Sequence, residues 1–356
     1  MAAATRPYLL HRNIHGFPMQ LSVPQPRTVS FQGCSPSGFH EVFYTEWGDP
    51  AASRVVVCCH GLTRNGRDFD FLAERLASGA DFIPATETAS PEATRQRSWP
   101  STLAGWFRRQ HPKEAVRASG AGRVEGERLA VRVVCPDVVG RGRSEWLKDP
   151  AHYGYPQYIA DMTALLARLG VAEVDWIGTS MGGLIGMFLA AAPNSPIRTL
   201  VINDVGPILP KAALERIAAY VGRDERFQSL DDLEAHLRRV HATFGPLSDS
   251  QWEHLARHGH RFHADGSYGL AYDPGIAVNV RQAVKDWDFW ASWDRITCPT
   301  LILRGQESDL LHADTAEAMT RRGPRAELVT FPDIGHAPAL MAADQLEVVG
   351  QWLARR

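Results

Sequence analysis

Arg54–Cys59 is a short run in which five consecutive residues after the arginine are apolar. A strand with one face in water alternates polar and apolar residues. A run without that alternation suits a strand covered on both faces, as in a parallel sheet. Comparable runs occur at Leu129–Cys135, Val174–Ile177, Thr199–Asn203, Pro299–Leu303 and Ala326–Phe331. Helical patterns separate them. Asp68–Leu76 carries Phe69, Leu72, Ala73 and Leu76 at helical spacing, and Gln157–Leu169 carries Ile159, Met162, Leu165, Leu166 and Leu169. Met181–Ala192, Ala313–Arg321 and Ala342–Leu353 complete the series. Upstream, Arg27–Phe31 and Phe39–Trp47 read as two strands around a turn at Cys34–Gly38. The alternation predicts an α/β chain with a mostly parallel, eight-stranded sheet and helices on both faces.

Two stretches interrupt the pattern. Phe82–Arg128 is rich in Pro, Ser, Thr, Arg, Gly and Glu, and separates a helix from a strand where about 2–6 residues normally suffice. It reads as an insertion, 82–128, partly disordered, with one short helix at Thr102–Arg109. The second stretch, 208–296, has helical patterns at Lys211–Tyr220, Leu230–Thr243 and Ser248–His258, then the aromatic segment Val284–Trp293. It reads as an all-helical cap over the C-terminal edge of the sheet. Residues 1–26 carry Pro18, Pro24 and Pro26 and read as an arm, leaving 27–207 and 297–356 as the core.

Charge narrows the partners. The 356 residues include 38 Lys and Arg against 40 Asp and Glu, a net charge of −2, so no nucleic-acid footprint or cationic membrane face is expected. The apolar stretch Met181–Ala192 is shorter than the roughly 20 residues that cross a bilayer. Met1–Leu21 lacks the apolar run of a secretory signal. The five cysteines are odd in number, contain no C-x-x-C pair, and three of them fall in strand runs, which points to reduced thiols and a cytoplasmic setting. A monomer or homodimer is expected, a choice that the sequence does not decide.

The chemistry centres on Gly178-Thr179-Ser180-Met181-Gly182, a G-x-S-x-G placed after the strand Val174–Ile177 and before the helix from Met181. A tight strand–turn–helix of this kind lifts the serine hydroxyl clear of the sheet. A free hydroxyl is a poor nucleophile, so a base must take its proton during attack. His336, in Asp333-Ile334-Gly335-His336-Ala337-Pro338 after the last core strand, completes the chain order serine, acid, histidine. Asp309, in the loop after Pro299–Leu303, is expected to orient His336, with Glu307 nearby and Asp204 at the end of Thr199–Asn203 as rivals. Asp333 reads as a turn residue. His60-Gly61-Leu62-Thr63-Arg64 follows the strand Arg54–Cys59, so the backbone amides of Leu62 and Met181 are the expected oxyanion donors. His60 is expected to order that loop. Arg64, Trp287 and Trp290 are the candidate substrate-binding residues, with Phe289 and Trp293 beside them; packing of cap on core explains these aromatics equally well.

These pieces, with Pro136-Asp137-Val138-Val139-Gly140-Arg141-Gly142-Arg143-Ser144 as a glycine-rich loop after the fourth strand, resemble the α/β-hydrolase superfamily. The likeness runs from about Arg27 to the C-terminus, apart from Phe82–Arg128. It is nearest to capped bacterial serine esterases, including some that hydrolyse aliphatic polyesters and hydroxyalkanoate oligomers. The resemblance implies hydrolysis of a small-molecule carboxylic ester through an acyl-enzyme, with no metal or organic cofactor. Related activities on the same residues are lactone, thioester or C–C bond hydrolysis. A non-catalytic binding protein of this fold is the alternative of another class, and the intact Ser180, His336 and acid set argues against it. Epoxide hydrolases and haloalkane dehalogenases share the scaffold but use an aspartate nucleophile, which Ser180 disfavours.

Overall fold

The computed structural model describes residues 25–79, 81 and 130–356. Residues 1–24, the expected insertion at 82–128 and its helix Thr102–Arg109 lie outside the described residues.

Twelve strands are described: β1 (Arg27–Ser35), β2 (Gly38–Gly48), β3 (Arg54–Cys59), β4 (Val131–Pro136), β5 (Val174–Thr179), β6 (Ile197–Asn203), β7 (Ile208–Leu209), β8 (His260–Phe262), β9 (Tyr268–Leu270), β10 (Trp287–Asp288), β11 (Thr300–Gly305) and β12 (Glu327–Phe331). Eight of them form one sheet in the order β1-β2-β4-β3-β5-β6-β11-β12. The β1–β2 hairpin is antiparallel and joins the sheet through antiparallel pairing of β2 with β4. From β4 to β12 every pair is parallel.

The chain lays β4 on one side of β3 and returns to lay β5 on the other. Such a reversal opens a crevice at the carboxyl ends of the central strands, where ligands bind in open α/β sheets. The uninterrupted apolar run of β3 now has its explanation. Val55, Val57 and Cys59 face one core layer, with α2 (Tyr155–Leu169), α3 (Met181–Ala190) and α9 (Ala313–Met319) against it. Val56 and Cys58 face the other, under α1 (Asp70–Ala77) and α10 (Ala343–Ala354).

Between β6 and β11 lie α4 (Lys211–Tyr220), α5 (Leu230–Val240), α6 (Asp249–Gly259), α7 (Ala277–Gln282) and α8 (Trp290–Trp293). Side-chain caps start two of these helices: Ser229 accepts from Asp232 N–H, and Ser248 and Gln251 form a reciprocal capping box. Leu233, Leu237, Trp252, Leu255 and Ala256 form a small core of their own, closed by Met341 from the sheet side. The expectation of an all-helical segment needs correction. Two short antiparallel ribbons, β7 with β10 and β8 with β9, lie within it. Strands of two or three residues are too short to show a period in sequence.

Candidate active site

Ser180 is held in a backbone conformation that side chains rarely adopt, φ 52° and ψ −113°. Such strain costs of order 1–3 kcal/mol and persists only where the surroundings over-determine it. They do so here. The Ser180 amide donates to Asn203 O at 2.9 Å and the Gly182 amide to His60 O at 3.1 Å. A methyl group at Gly182 would lie 2.0 Å from Cys59 O, so only glycine lets α3 start this close to β3. The turn thus projects the hydroxyl of Ser180 from the end of β5 into the crevice.

His336 reaches that hydroxyl. Its Nε2 lies 2.9 Å from Ser180 Oγ, and its Nδ1 lies 2.8 Å from Asp204 Oδ2. A carboxylate only accepts, so the proton sits on Nδ1 and donates to Asp204, leaving Nε2 free to accept from the serine hydroxyl. The loop carrying His336 is pinned on both sides: Glu307 N–H donates to Ile334 O, and Gly335 N–H donates to Thr243 O, each at 2.8 Å. Asn203 Nδ2 adds a bond to Pro338 O at 2.8 Å. Asp333 takes a left-handed turn conformation, φ 56°, in the same loop.

The carboxylate on His336 is therefore Asp204, and the expectation of Asp309 is corrected. Asp204 is fully buried at the end of β6, where its second oxygen accepts from Gly305 N–H at 2.9 Å and its own amide continues the pairing with β11 by donating to Leu303 O. Asp309 points the other way. The Ser308 hydroxyl accepts from the amides of Leu310 and Leu311, which curls the loop, and the Asp309 carboxylate is gripped at the surface by Arg216 of α4 at 2.5 and 2.9 Å. Asp309 is 48% exposed.

On the other side of Ser180, Leu62 and Met181 line the crevice. The Leu62 amide has no acceptor among the described residues. The Met181 amide is the first of α3 and, like every N–H in a first turn, has no intrahelical partner. His60 does not approach the serine. Its Nδ1–H donates to Gly61 O at 2.7 Å, and its Nε2 accepts from Val138 N–H at 2.9 Å, tying the loop after β3 to the loop after β4. Burial pushes the His60 imidazole down to about 4, so it is neutral at pH 7 and keeps both bonds.

The crevice opens into a cavity of about 380 Å³. Leu184 and Phe188 of α3, Leu209, Leu214, Ile217, Trp287 and Phe289 supply its apolar wall, and Tyr153, Tyr155, Tyr158 and Asn279 also line it. No charged side chain of the described residues lines it. Among the three residues expected to bind substrate, only Trp287 is on this wall, stacked on Phe289 with its Nε1–H donating to Ala283 O. Trp290 packs away from the cavity under the Arg322 guanidinium. Arg64 lines a separate, smaller hollow and is held in a two-point bond to Asp68 at 2.7 and 2.8 Å. The tyrosines, Phe188 and Asn279 were not anticipated. Their only sequence signal is the aromatic cluster Tyr153-Gly154-Tyr155 with Tyr158 at the start of α2.

One group of described residues brings metal-ligand types together. Atoms of Asp70, His254 and His258 lie within 4.8 Å of one another. Arg67 already occupies that carboxylate, with Nε at 2.6 Å, and His254 Nε2–H donates to Arg67 O at 2.9 Å. This is an ion-pair network joining the start of α1 to α6.

Comparison with known proteins follows the same lines. Residues 56–349 match the model of the alpha/beta hydrolase family. The chain is 41% identical to the 3-hydroxybutyrate-oligomer hydrolase of Cupriavidus necator over 340 residues, 92% of this chain and 97% of that relative. It is 26% identical over 227 residues to a 2-hydroxymuconate semialdehyde hydrolase of Pseudomonas putida, 63% of this chain and 77% of that relative. A crystal structure of an alpha/beta hydrolase from Novosphingobium aromaticivorans superposes with a TM-score of 0.70 at 32% identity, covering 92% of this chain and 99% of the other.

Proposed function

As this chain belongs to the alpha/beta hydrolase family, we propose that it hydrolyses short aliphatic hydroxyacyl esters of the 3-hydroxybutyrate-oligomer type, with Ser180 as nucleophile, His336 as base and Asp204 as the group that orients the base. The observation that carries this reading is the unbroken chain Asp204–His336–Ser180, at 2.8 and 2.9 Å, opening on an uncharged cavity. The enzyme is an ester hydrolase. Ser180 Oγ adds to the ester carbonyl while His336 Nε2 takes its proton. The Leu62 and Met181 amides receive the negative oxygen. His336 then protonates the departing alcohol oxygen as the C–O bond breaks, leaving the acyl group on Ser180. Water, deprotonated by His336, cleaves the acyl-enzyme and returns the serine proton.

The cavity supports a choice of orientation. A dimer of 3-hydroxybutyrate has a neutral, hydroxyl-terminated acyl half and a carboxylate-bearing alcohol half. Burying an unpaired carboxylate among the side chains of Phe188, Leu214 and Trp287 costs several kcal/mol. The neutral acyl half therefore takes the cavity, which Tyr155, whose hydroxyl has no hydrogen-bond partner among the described residues, helps to line. The segment 208–296 acts as a cap, since Leu214, Ile217, Ile276 and Phe289 close the cavity from outside the sheet. Free thiols at Cys58, Cys59 and Cys135 support a cytoplasmic setting.

The test is a panel of 3-hydroxybutyrate dimer, its β-lactone, an acyl thioester and a vinylogous diketone given to the purified protein. Turnover of the dimer well above the other three is expected. Preference for the diketone, with the dimer inert, would overturn the reading.

A further inference from the structure

Directly behind the cavity wall lies a charge that the acyl-transfer scheme does not use. Arg141, in the loop after β4, is 0% exposed. A buried guanidinium is costly unless an anion or a full set of acceptors compensates it. No carboxylate pairs with it among the described residues. Its Nε donates to Leu62 O and its Nη1 to Val139 O, both at 2.8 Å, and its Nη2 points to Met181 Sδ at 3.6 Å. Its guanidinium carbon stands 4.8 Å from the centre of the Tyr158 ring and 5.8 Å from that of Tyr153.

Four of these neighbours, Leu62, Met181, Tyr153 and Tyr158, line the cavity from its inner side. Two of them are the residues whose amides flank Ser180. A merely structural link between the loops needs no charge. A neutral amide side chain would satisfy a carbonyl oxygen at a lower desolvation cost. A cation with no carboxylate bonded to it, one residue's thickness behind a site where an anion forms, favours that anion; the buried Asp273 carboxylate beyond it is engaged by the Tyr153 hydroxyl at 2.6 Å. The low dielectric of a dry wall strengthens the effect.

We propose that Arg141 is a positioning residue for ester cleavage: it fixes Leu62, so that the Leu62 amide is aimed at the carbonyl oxygen, and its charge favours the tetrahedral oxyanion over the neutral ester. This rests on the Ser180 acyl-transfer reading. Arg141 does not touch the substrate, because Leu62, Met181 and the two tyrosines stand between. Its loop is held independently: Asp137 accepts from Gly66 N–H at 2.8 Å and from Arg143 N–H at 3.0 Å, and Gly142 N–H donates to Ala271 O at 2.8 Å. An exchange at position 141 therefore leaves the loop anchored.

The experiment compares Arg141→Gln, Arg141→Lys and wild type on p-nitrophenyl butyrate. It also measures inhibition by butylboronic acid, which forms a tetrahedral anion on the serine, and by butyramide, a neutral planar mimic. In Arg141→Gln, kcat is expected to fall about 10- to 100-fold, KM to stay within about twofold, and boronate affinity to fall with kcat while butyramide affinity holds. Arg141→Lys, which keeps the charge, is expected to recover part of the loss. Wild-type kcat in folded Arg141→Gln overturns the proposal, as does an equal loss of boronate and butyramide affinity. If Arg141→Gln does not fold, Arg141→Met, which removes the charge but keeps the long stem, decides by the boronate-to-butyramide ratio: a fall supports the assignment, and the wild-type ratio overturns it. Fluorophosphonate labelling of the wild-type protein separates the two levels. Wild-type protein that neither labels nor turns over ester overturns the acyl-transfer reading itself.

Discussion

Exchanging Asp204 for Asn keeps the size of the side chain and removes its charge. Asp204 is fully buried, with one oxygen on Gly305 N–H and the other on His336 Nδ1 at 2.8 Å. The Gly305 bond fixes which end of an amide can be an acceptor there. The Asn oxygen takes the Gly305 N–H, so its NH2 group faces His336. Nδ1 must then accept rather than donate, which moves the imidazole proton to Nε2. In that tautomer the ring cannot take the proton of Ser180. In a serine protease the equivalent exchange lowers kcat about 10⁴-fold, or roughly 5.5 kcal/mol at 1.36 kcal/mol per decade. A loss between about 10³ and 10⁴ is expected here, with KM little changed. Asp309→Asn provides the contrast. It breaks a half-exposed pair with Arg216, worth about 0–1 kcal/mol, and should leave kcat within about twofold. The assay is steady-state hydrolysis of p-nitrophenyl butyrate, with circular dichroism to show that both variants are folded. A folded Asp204→Asn enzyme retaining a tenth of wild-type kcat, or an Asp309→Asn enzyme as impaired as Asp204→Asn, would refute the assignment.

Three further outcomes follow from the same structure. Ser180→Gly and Ser180→Ala both lack the hydroxyl, but only glycine is at ease at φ 52°, so the glycine variant should melt higher, by ~1 kcal/mol in denaturant unfolding; equal stability would show that the turn carries no strain. Trp287→Ala should shift the preferred p-nitrophenyl acyl chain to greater length by enlarging the cavity, whereas Trp290→Ala should leave the chain-length profile unchanged. Acidification tests His60. Burial holds its pKa at about 4 against 6.5 in the unfolded chain, so the unfolded state binds the extra proton between those values and stability falls as pH drops through that window. The loss reaches ~3 kcal/mol at most for this residue. Asp137, raised to about 6 by burial, works in the opposite direction over nearly the same range, so the difference between wild type and His60→Gln is the quantity to measure. Chemical unfolding at pH 7 and pH 4.5 should show a smaller acid loss in His60→Gln; identical losses would exclude His60 as a source.

The sheet was legible because burial on both faces leaves a local mark. The Val56 and Cys58 side chains face one core layer and the Val55, Val57 and Cys59 side chains the other, so the run must be apolar throughout. Ser180 and His336 were legible for a related reason: the chain directions that bring them together are set by strand–turn–helix geometry within a few residues of each. The acid was not. Asp204 and Asp309 both follow core strands and both satisfy the chain order. What separates them is the direction in which each loop turns, decided by the Ser308 hydroxyl bonds and by Arg216 from a helix 93 residues away in sequence. Trp287 and Trp290 could not be told apart, because facing the cavity or the Arg322 side chain depends on how the cap docks. Arg141 stood in a recognisable glycine-rich loop, but an arginine in a loop is ordinarily a solvent residue. Its inward course depends on carbonyls of Leu62 and Val139 that no sequence period reveals.

The most direct measurement is peptide mass spectrometry of the protein after brief exposure to a fluorophosphonate. A single adduct on the peptide containing Ser180, absent after the same exposure of a His336→Ala variant, is predicted. An unmodified Ser180 peptide in protein that still hydrolyses ester, or equal modification with and without His336, would contradict the account.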